Sequence, residues 1–116
     1  MTPDRRLAYL SDIVSAVELI QSFASGKTAE ALKEDILLRS GIERQFTIIG
    51  EAVSKLLRLD PSLESAIPAA RKIVGFRNQL VHNYGSIDPY LVWTVIQQDL
   101  GPLQKTASGL LKEFAK

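Results

Sequence analysis

At 116 residues, 46% of them hydrophobic, with a formal net charge of +1 and no cysteine, the chain has the size and apolar content of one soluble globular domain. The absence of cysteine excludes disulfides and thiolate metal sites and suits a reducing compartment such as the cytoplasm. A lone histidine and carboxylates without metal-loop spacing give no reason to expect a metal or other cofactor. So balanced a charge excludes nucleic-acid binding by bulk electrostatics, and any such contact has to be local. The charged N-terminus MTPDRRLAYL lacks the apolar run of a signal peptide, and no segment approaches membrane-spanning length, so no membrane association is expected.

The first helix is expected to open at Thr2-Pro3-Asp4, a cap, a proline and an acid suited to a helix start. Leu7, Leu10, Val14, Val17 and Phe23, with Ile13 and Ile20 beside them, recur at three- and four-residue steps, and Gly26 is a natural stop. Thr28 is placed to cap a second helix running toward Leu59, with a bend expected at Ser40-Gly41. Its buried stripe would be Ile36, Ile42, Phe46, Ile49, Val53, Leu56 and Leu57, and Asp60-Pro61 would close it. After a short turn, Pro68 should open a third helix with Ile73, Phe76 and Leu80 inward, flanked by Val74 and Val81 and ended by Gly85. Asp88-Pro89 repeats the cap-and-proline signal, and Leu91, Val92, Val95 and Ile96 supply the next apolar face. Trp93 reads as core, and Gly101-Pro102 should kink or break this helix before a last piece, Leu103 to Phe114. Nothing alternates with the period of a strand. The expected architecture is all-α: a single domain over residues 1–116, folded as an antiparallel bundle of four to five helices.

The segment RNQLVHNY, residues 77 to 84, concentrates the polar chemistry of the chain, including its one histidine. On a straight helix Arg77 and Tyr84 nearly align, whereas His82 lies about 140° round from Arg77 and roughly in line with Asn78. Unwinding after Val81 would bring His82 and Tyr84 round toward Arg77. That makes a helix C-terminus the natural place for the group, where a partly positive imidazole is also electrostatically favoured. Two readings follow. The polar side chains satisfy the free carbonyls of a helix end, or they form a reaction centre for phosphodiester chemistry. RNA cleavage without a metal needs a base for the ribose 2′-OH, an acid for the leaving 5′ oxygen and a cation against the charge on phosphorus. Histidine titrates near neutrality, and arginine offers a planar fork to phosphate oxygens. With one histidine per chain, two-group acid–base catalysis needs two chains meeting at the motif, or some other acid. Arg71 and Lys72, a turn or two before Arg77, are further candidates for phosphate contact. The remaining arginines Arg5, Arg6, Arg39, Arg44 and Arg58 read as solvated or salt-bridged. Glu51, inside the apolar run IIGEAV, either pairs structurally with an arginine, the preferred reading, or lines a polar groove.

The spacing of Arg77, four residues, His82, one residue, Tyr84 resembles the signature of the HEPN domain, a ribonuclease fold of prokaryotic toxins. More specifically the chain resembles the HepT toxins of HepT–MntA pairs. YLSDIVSAVELI, TIIGEAVSKL, IVGFRNQLVHNYGSID and VWTVIQQDLGPL match that family's segments in order over nearly the whole length. It departs from the pattern at Ala69, where members often carry tryptophan, and at Gly101-Pro102, where many have leucine-proline. The resemblance implies Arg77 and His82 as the catalytic pair, Tyr84 as the third motif residue, and Asn78 as a supporting polar group. It also implies a homodimer whose two motifs line one cleft, an RNA substrate, and a nucleotidyltransferase (MntA-like) antitoxin that transfers adenylate to the motif tyrosine, here Tyr84. Two other readings stay open: a non-catalytic dimer that binds a nucleotide or a nucleotidyltransferase, and a plain helical scaffold.

Overall fold

The computed structural model describes residues 3–82 and 87–116; the expectations for Thr2, Tyr84 and Gly85 lie outside the described residues. Five helices follow one another: α1 (Arg5–Ala24), α2 (Ala29–Glu34), α3 (Ile36–Leu59), α4 (Ala70–His82) and α5 (Pro89–Phe114). A short 3-10 turn (Pro61–Glu64) lies between α3 and α4, and no strand occurs among the described residues. The fold is an all-α bundle, as expected.

Each start is set by a side chain that satisfies a free backbone N–H. The cap of α1 is Asp4 itself, two residues later than the sequence suggested, with its carboxylate accepting from the Arg6 N–H at 3.0 Å. The expected single helix from Thr28 to Leu59 is two helices. Thr28 caps α2, whose six residues end at Asp35, and the Asp35 carboxylate accepts from Leu38 N–H at 3.0 Å to start α3. An aspartate has a strong local alternative to the helix, so the chain turns there. Helix α3 runs without interruption through Ser40-Gly41, where a bend was expected, and the ring of Phe23 packs beside Gly41. Ile36 and Leu37, beyond the turn, are 68% and 85% exposed rather than part of the core stripe. Helix α4 starts two residues after Pro68, since Ala69 takes a positive φ of 57°, a strained conformation for a residue with a Cβ. Asp88 caps α5 as expected. That helix runs unbroken through Pro102, so of the kink or break expected there the break does not occur. Pro102 and Gln98, whose carbonyl loses its N–H partner, both face solvent, where water can replace the missing bond.

The core is a single cluster. Leu10, Ile13, Val17 and Ile20 of α1 and Ile42, Phe46, Ile49, Val53 and Leu56 of α3 are essentially inaccessible, and they meet Val92, Val95, Leu100 and Leu103 of α5. Leu91 stays 42% exposed, and Trp93 packs against the core half-buried. Helix α1 also corrects the expectation that no segment reaches membrane-spanning length. An 18-residue stretch within its 20 residues has a mean hydropathy of 1.3, long and apolar enough by that measure, because one face supplies the centre of the core. Helices α1 and α3 run antiparallel, with Phe23 beside Gly41 at one end and Arg6 paired with Asp60 at 2.9 Å at the other. Arg6 also holds Asp4 at 2.8 Å and lies 3.6 Å over the Phe114 ring, so one guanidinium ties the ends of α1, α3 and α5. Helix α4 lies along α3, fixed by an edge-to-face contact of Phe76 with Phe46 at 5.0 Å and by the Lys72–Asp99 ion pair to α5.

Candidate active site on helices α3 and α4

Ile73, Phe76 and Leu80 turn inward and set the rotation of α4, which places Arg77 at the margin where α4 crosses α3. The crossing is close because residue 50 of α3 is glycine. A Cβ there would fall 2.6 Å from Arg77 Cγ and closer still to Arg77 Cβ, so the stem of the arginine lies against bare α3 backbone. The next residue, Glu51, receives the guanidinium: Arg77 Nη2 donates to Glu51 Oε1 at 3.2 Å, and Nη1 donates to Asn78 Oδ1 at 2.9 Å. Arg77 Nε is buried and has no hydrogen-bond partner among the described residues. Glu51 therefore has an arginine partner, as the sequence called for, and that partner is Arg77. Gly50 was missed; a glycine interrupting an otherwise good helical pattern, at a cost of about 1 kcal/mol, was the available signal.

His82 is the last residue of α4 and is exposed. Because the helix is continuous through it, the unwinding after Val81 does not occur, and within one chain His82 and Arg77 stay on faces about 140° apart. The helix instead groups His82 with Asn78 and Arg71 along its outer face, while Arg77 looks toward α3. Arg71, 84% exposed, is paired with Glu64 at 2.9 Å, and Lys72 is held by Asp99 at 2.8 Å, so both phosphate candidates already have carboxylate partners. Tyr84 lies outside the described residues.

Two open clefts meet at this crossing. One, of about 340 Å³, is lined by Glu51, Ser54, Lys55, Arg58 and Arg77; the other, of about 300 Å³, by Ser54, Leu57, Glu64, Arg71, Val74, Gly75 and Asn78. Among the described residues no group of three or more His, Cys, Asp or Glu side chains converges as metal ligands would. The chemistry on offer is that of a fixed, always-charged planar fork at the mouth of an open cleft, with an exposed imidazole on the adjoining face.

The family model described as "Ribonuclease HepT-like" matches residues 13–110, a span that holds α2, α3, α4 and most of α5. The chain belongs to the HepT-like ribonuclease family. It is 32% identical to "Probable ribonuclease HepT" of Thermococcus cleftensis, over 90% of this chain and 94% of that one. It is 28% identical to "Putative RNase TTE0752" of Caldanaerobacter subterraneus subsp. tengcongensis, over 90% of this chain and 93% of that one. A third relative, "Gamma-glutamylcyclotransferase and putative RNase MJ0434" of Methanocaldococcus jannaschii, is 27% identical over 93% of this chain, which spans only 48% of that protein's length. No solved structure matches significantly. The matched span contains Arg77 and His82.

Proposed function

We propose that the protein is a metal-independent RNA endonuclease and the toxin of a HEPN/MNT toxin–antitoxin pair, acting in the cytoplasm. The observation that carries this reading is the held fork of Arg77, in a chain of the HepT-like ribonuclease family, at the rim of an open cleft. The ribose 2′ oxygen attacks phosphorus as its proton passes to an imidazole, and the P–O5′ bond breaks as a second proton reaches the leaving oxygen. Arg77 stabilises the charge that grows on the non-bridging oxygens, and His82 carries the proton. Asn78 shares the fork with the phosphate.

The wide angle between Arg77 and His82 on one helix favours a site shared by a homodimer. A two-fold partner would set its own His82 against this chain's Arg77 and supply the second imidazole that the chemistry needs. Tyr84 is proposed as a further RNA contact and as the acceptor of adenylate from a nucleotidyltransferase antitoxin. The added phosphate would compete for the Arg77 fork, so the block is electrostatic as well as steric.

The test is cleavage of RNA by purified protein in excess EDTA, with end-group analysis. We expect a 2′,3′-cyclic phosphate or 3′-phosphate opposite a 5′-hydroxyl, and strong loss of rate in His82→Ala and Arg77→Ala. Products with a 5′-phosphate, or undiminished cutting by His82→Ala, would overturn the mechanism. For control of the site, intact mass should show adenylate on wild type but not on Tyr84→Phe after incubation with the cognate nucleotidyltransferase and ATP.

A further inference from the structure

The cleft at Arg77 does not end there. Lys55 and Arg58, which line it, also line a second cleft together with Leu59 and with Arg5 and Tyr9 of α1, so the two openings adjoin as a trough across α3. Glu51, Ser54, Lys55 and Arg58 are spaced at three- and four-residue steps along one outer face of α3. The stretch from Glu51 to Arg58 covers about 10 Å of helix. The antiparallel pairing of α1 with α3 brings Arg5 to the same end as Arg58.

Arg6, Arg39, Arg71, Lys72 and Arg77 each hold a carboxylate. Arg5, Lys55 and Arg58 are exposed and make no ion pair among the described residues. Exposed cations without an ion pair also occur elsewhere among the described residues, at Lys33, Arg44, Lys105 and Lys112, but those of the trough stand together along adjoining clefts. The one carboxylate lining the trough, Glu51, is taken by Arg77. A chain of net charge +1 therefore concentrates three uncompensated cations in a line that begins at the candidate catalytic fork.

We infer that this trough is the track for the backbone of single-stranded RNA, with Arg5, Lys55 and Arg58 contacting successive phosphates beyond the one held by Arg77. The inference rests on the ribonuclease reading and adds to it where the strand lies. A polyanion fits the observations because the cations are spaced along a groove rather than gathered in a pocket, and among the described residues Leu59 is the one exposed large aliphatic side chain lining it, too little for an apolar partner surface.

The experiment compares Arg5→Ala/Lys55→Ala/Arg58→Ala with a charge-matched control, Lys33→Ala/Lys105→Ala/Lys112→Ala, whose lysines are exposed on α2 and α5. Each is titrated with a 2′-O-methyl RNA oligonucleotide, which cannot be cut, over a series of salt concentrations. Circular dichroism checks that both are folded. Loss of three phosphate contacts should lower the slope of log K against log salt by about 2, at roughly 0.7 per contact for a single strand. On cleavable RNA the trough variant should show KM raised about tenfold or more, with kcat little changed, as for lost uniform binding. The control should keep the wild-type slope. An unchanged slope in the trough variant, or equal losses in both, overturns the track. If wild type cuts RNA while the trough variant binds like wild type, only the track fails. If wild type binds the oligonucleotide through the trough but cuts nothing, the ribonuclease reading fails and the track stands.

Discussion

Replacing Gly50 by alanine isolates the contact that positions Arg77. In a helix interior the change alone should help, since alanine is favoured over glycine by about 1 kcal/mol. Here the new methyl would meet Arg77 Cγ at 2.6 Å and Arg77 Cβ more closely still, and a Cβ cannot rotate away. Ordinary contact requires more than an ångström of further separation between α3 and α4. Overpacking of that kind costs about 1–3 kcal/mol, and here it also disturbs the Phe46–Phe76 contact. A net loss of about 1–2 kcal/mol lowers the melting temperature by roughly 5–10 °C in a domain of this size. An ångström of displacement at the fork should reduce RNA cleavage by about a hundredfold. Gly109→Ala on α5 is the matched control: its Cβ would meet nothing within 4 Å, so the melting temperature should hold or rise slightly. Because the nearest atom is Arg77 Cβ, Gly50→Ala should remain destabilising in an Arg77→Ala background. Thermal melts and cleavage rates of the five proteins (wild type, Gly50→Ala, Gly109→Ala, Arg77→Ala and the Gly50→Ala/Arg77→Ala double variant) decide the matter. If Gly50→Ala melted at or above wild type with full activity, the close crossing of α3 and α4 would be wrong.

Glu51→Ala should lower cleavage about tenfold by releasing the Arg77 fork, with a stability change below about 1 kcal/mol because the pair is partly exposed; Glu51→Gln should recover part of the rate, and parallel loss of rate and melting temperature would mark a purely structural role. Hydrogen bonds from Arg6, and from Ser62 to Asp60 foremost, hold the Asp4 and Asp60 carboxyls below the usual 3.8. A depressed native value means that this stability is present above the unfolded value and disappears as pH falls through the native one. The melting temperature of wild type should therefore fall between pH 5 and 3 more steeply than that of Arg6→Gln, as about these pH values bracket the carboxylate range, and superimposable profiles would refute the clamp. Pro102→Ala restores an N–H donor in mid-helix and should stabilise α5 by about 1–3 kcal/mol, read from the urea midpoint; a loss would show that the proline is built into the packing.

Much of the architecture was legible from local chemistry. The helical period of Leu10, Ile13, Val17 and Ile20, and of Ile42, Phe46, Ile49, Val53 and Leu56, identifies residues that the bundle buries, because burial has to follow the turn of the helix. Asp88-Pro89 and Asp60-Pro61 mark true boundaries, since capping and the proline ring act within a few residues. Where two local signals competed, the tertiary context chose. Asp35 ended a helix that Ser40-Gly41 did not interrupt, and Pro102 was absorbed on a face open to water. The site divides in the same way. The spacing of Arg77 and His82, and the need of Glu51 for an arginine, can be read from the chain. That Arg77 is the arginine Glu51 holds depends on residues 26 positions apart brought together by packing. The role of Gly50 and the joining of Arg5 with Lys55 and Arg58 arise the same way, because a close approach between helices is a property of two segments and neither one encodes it alone.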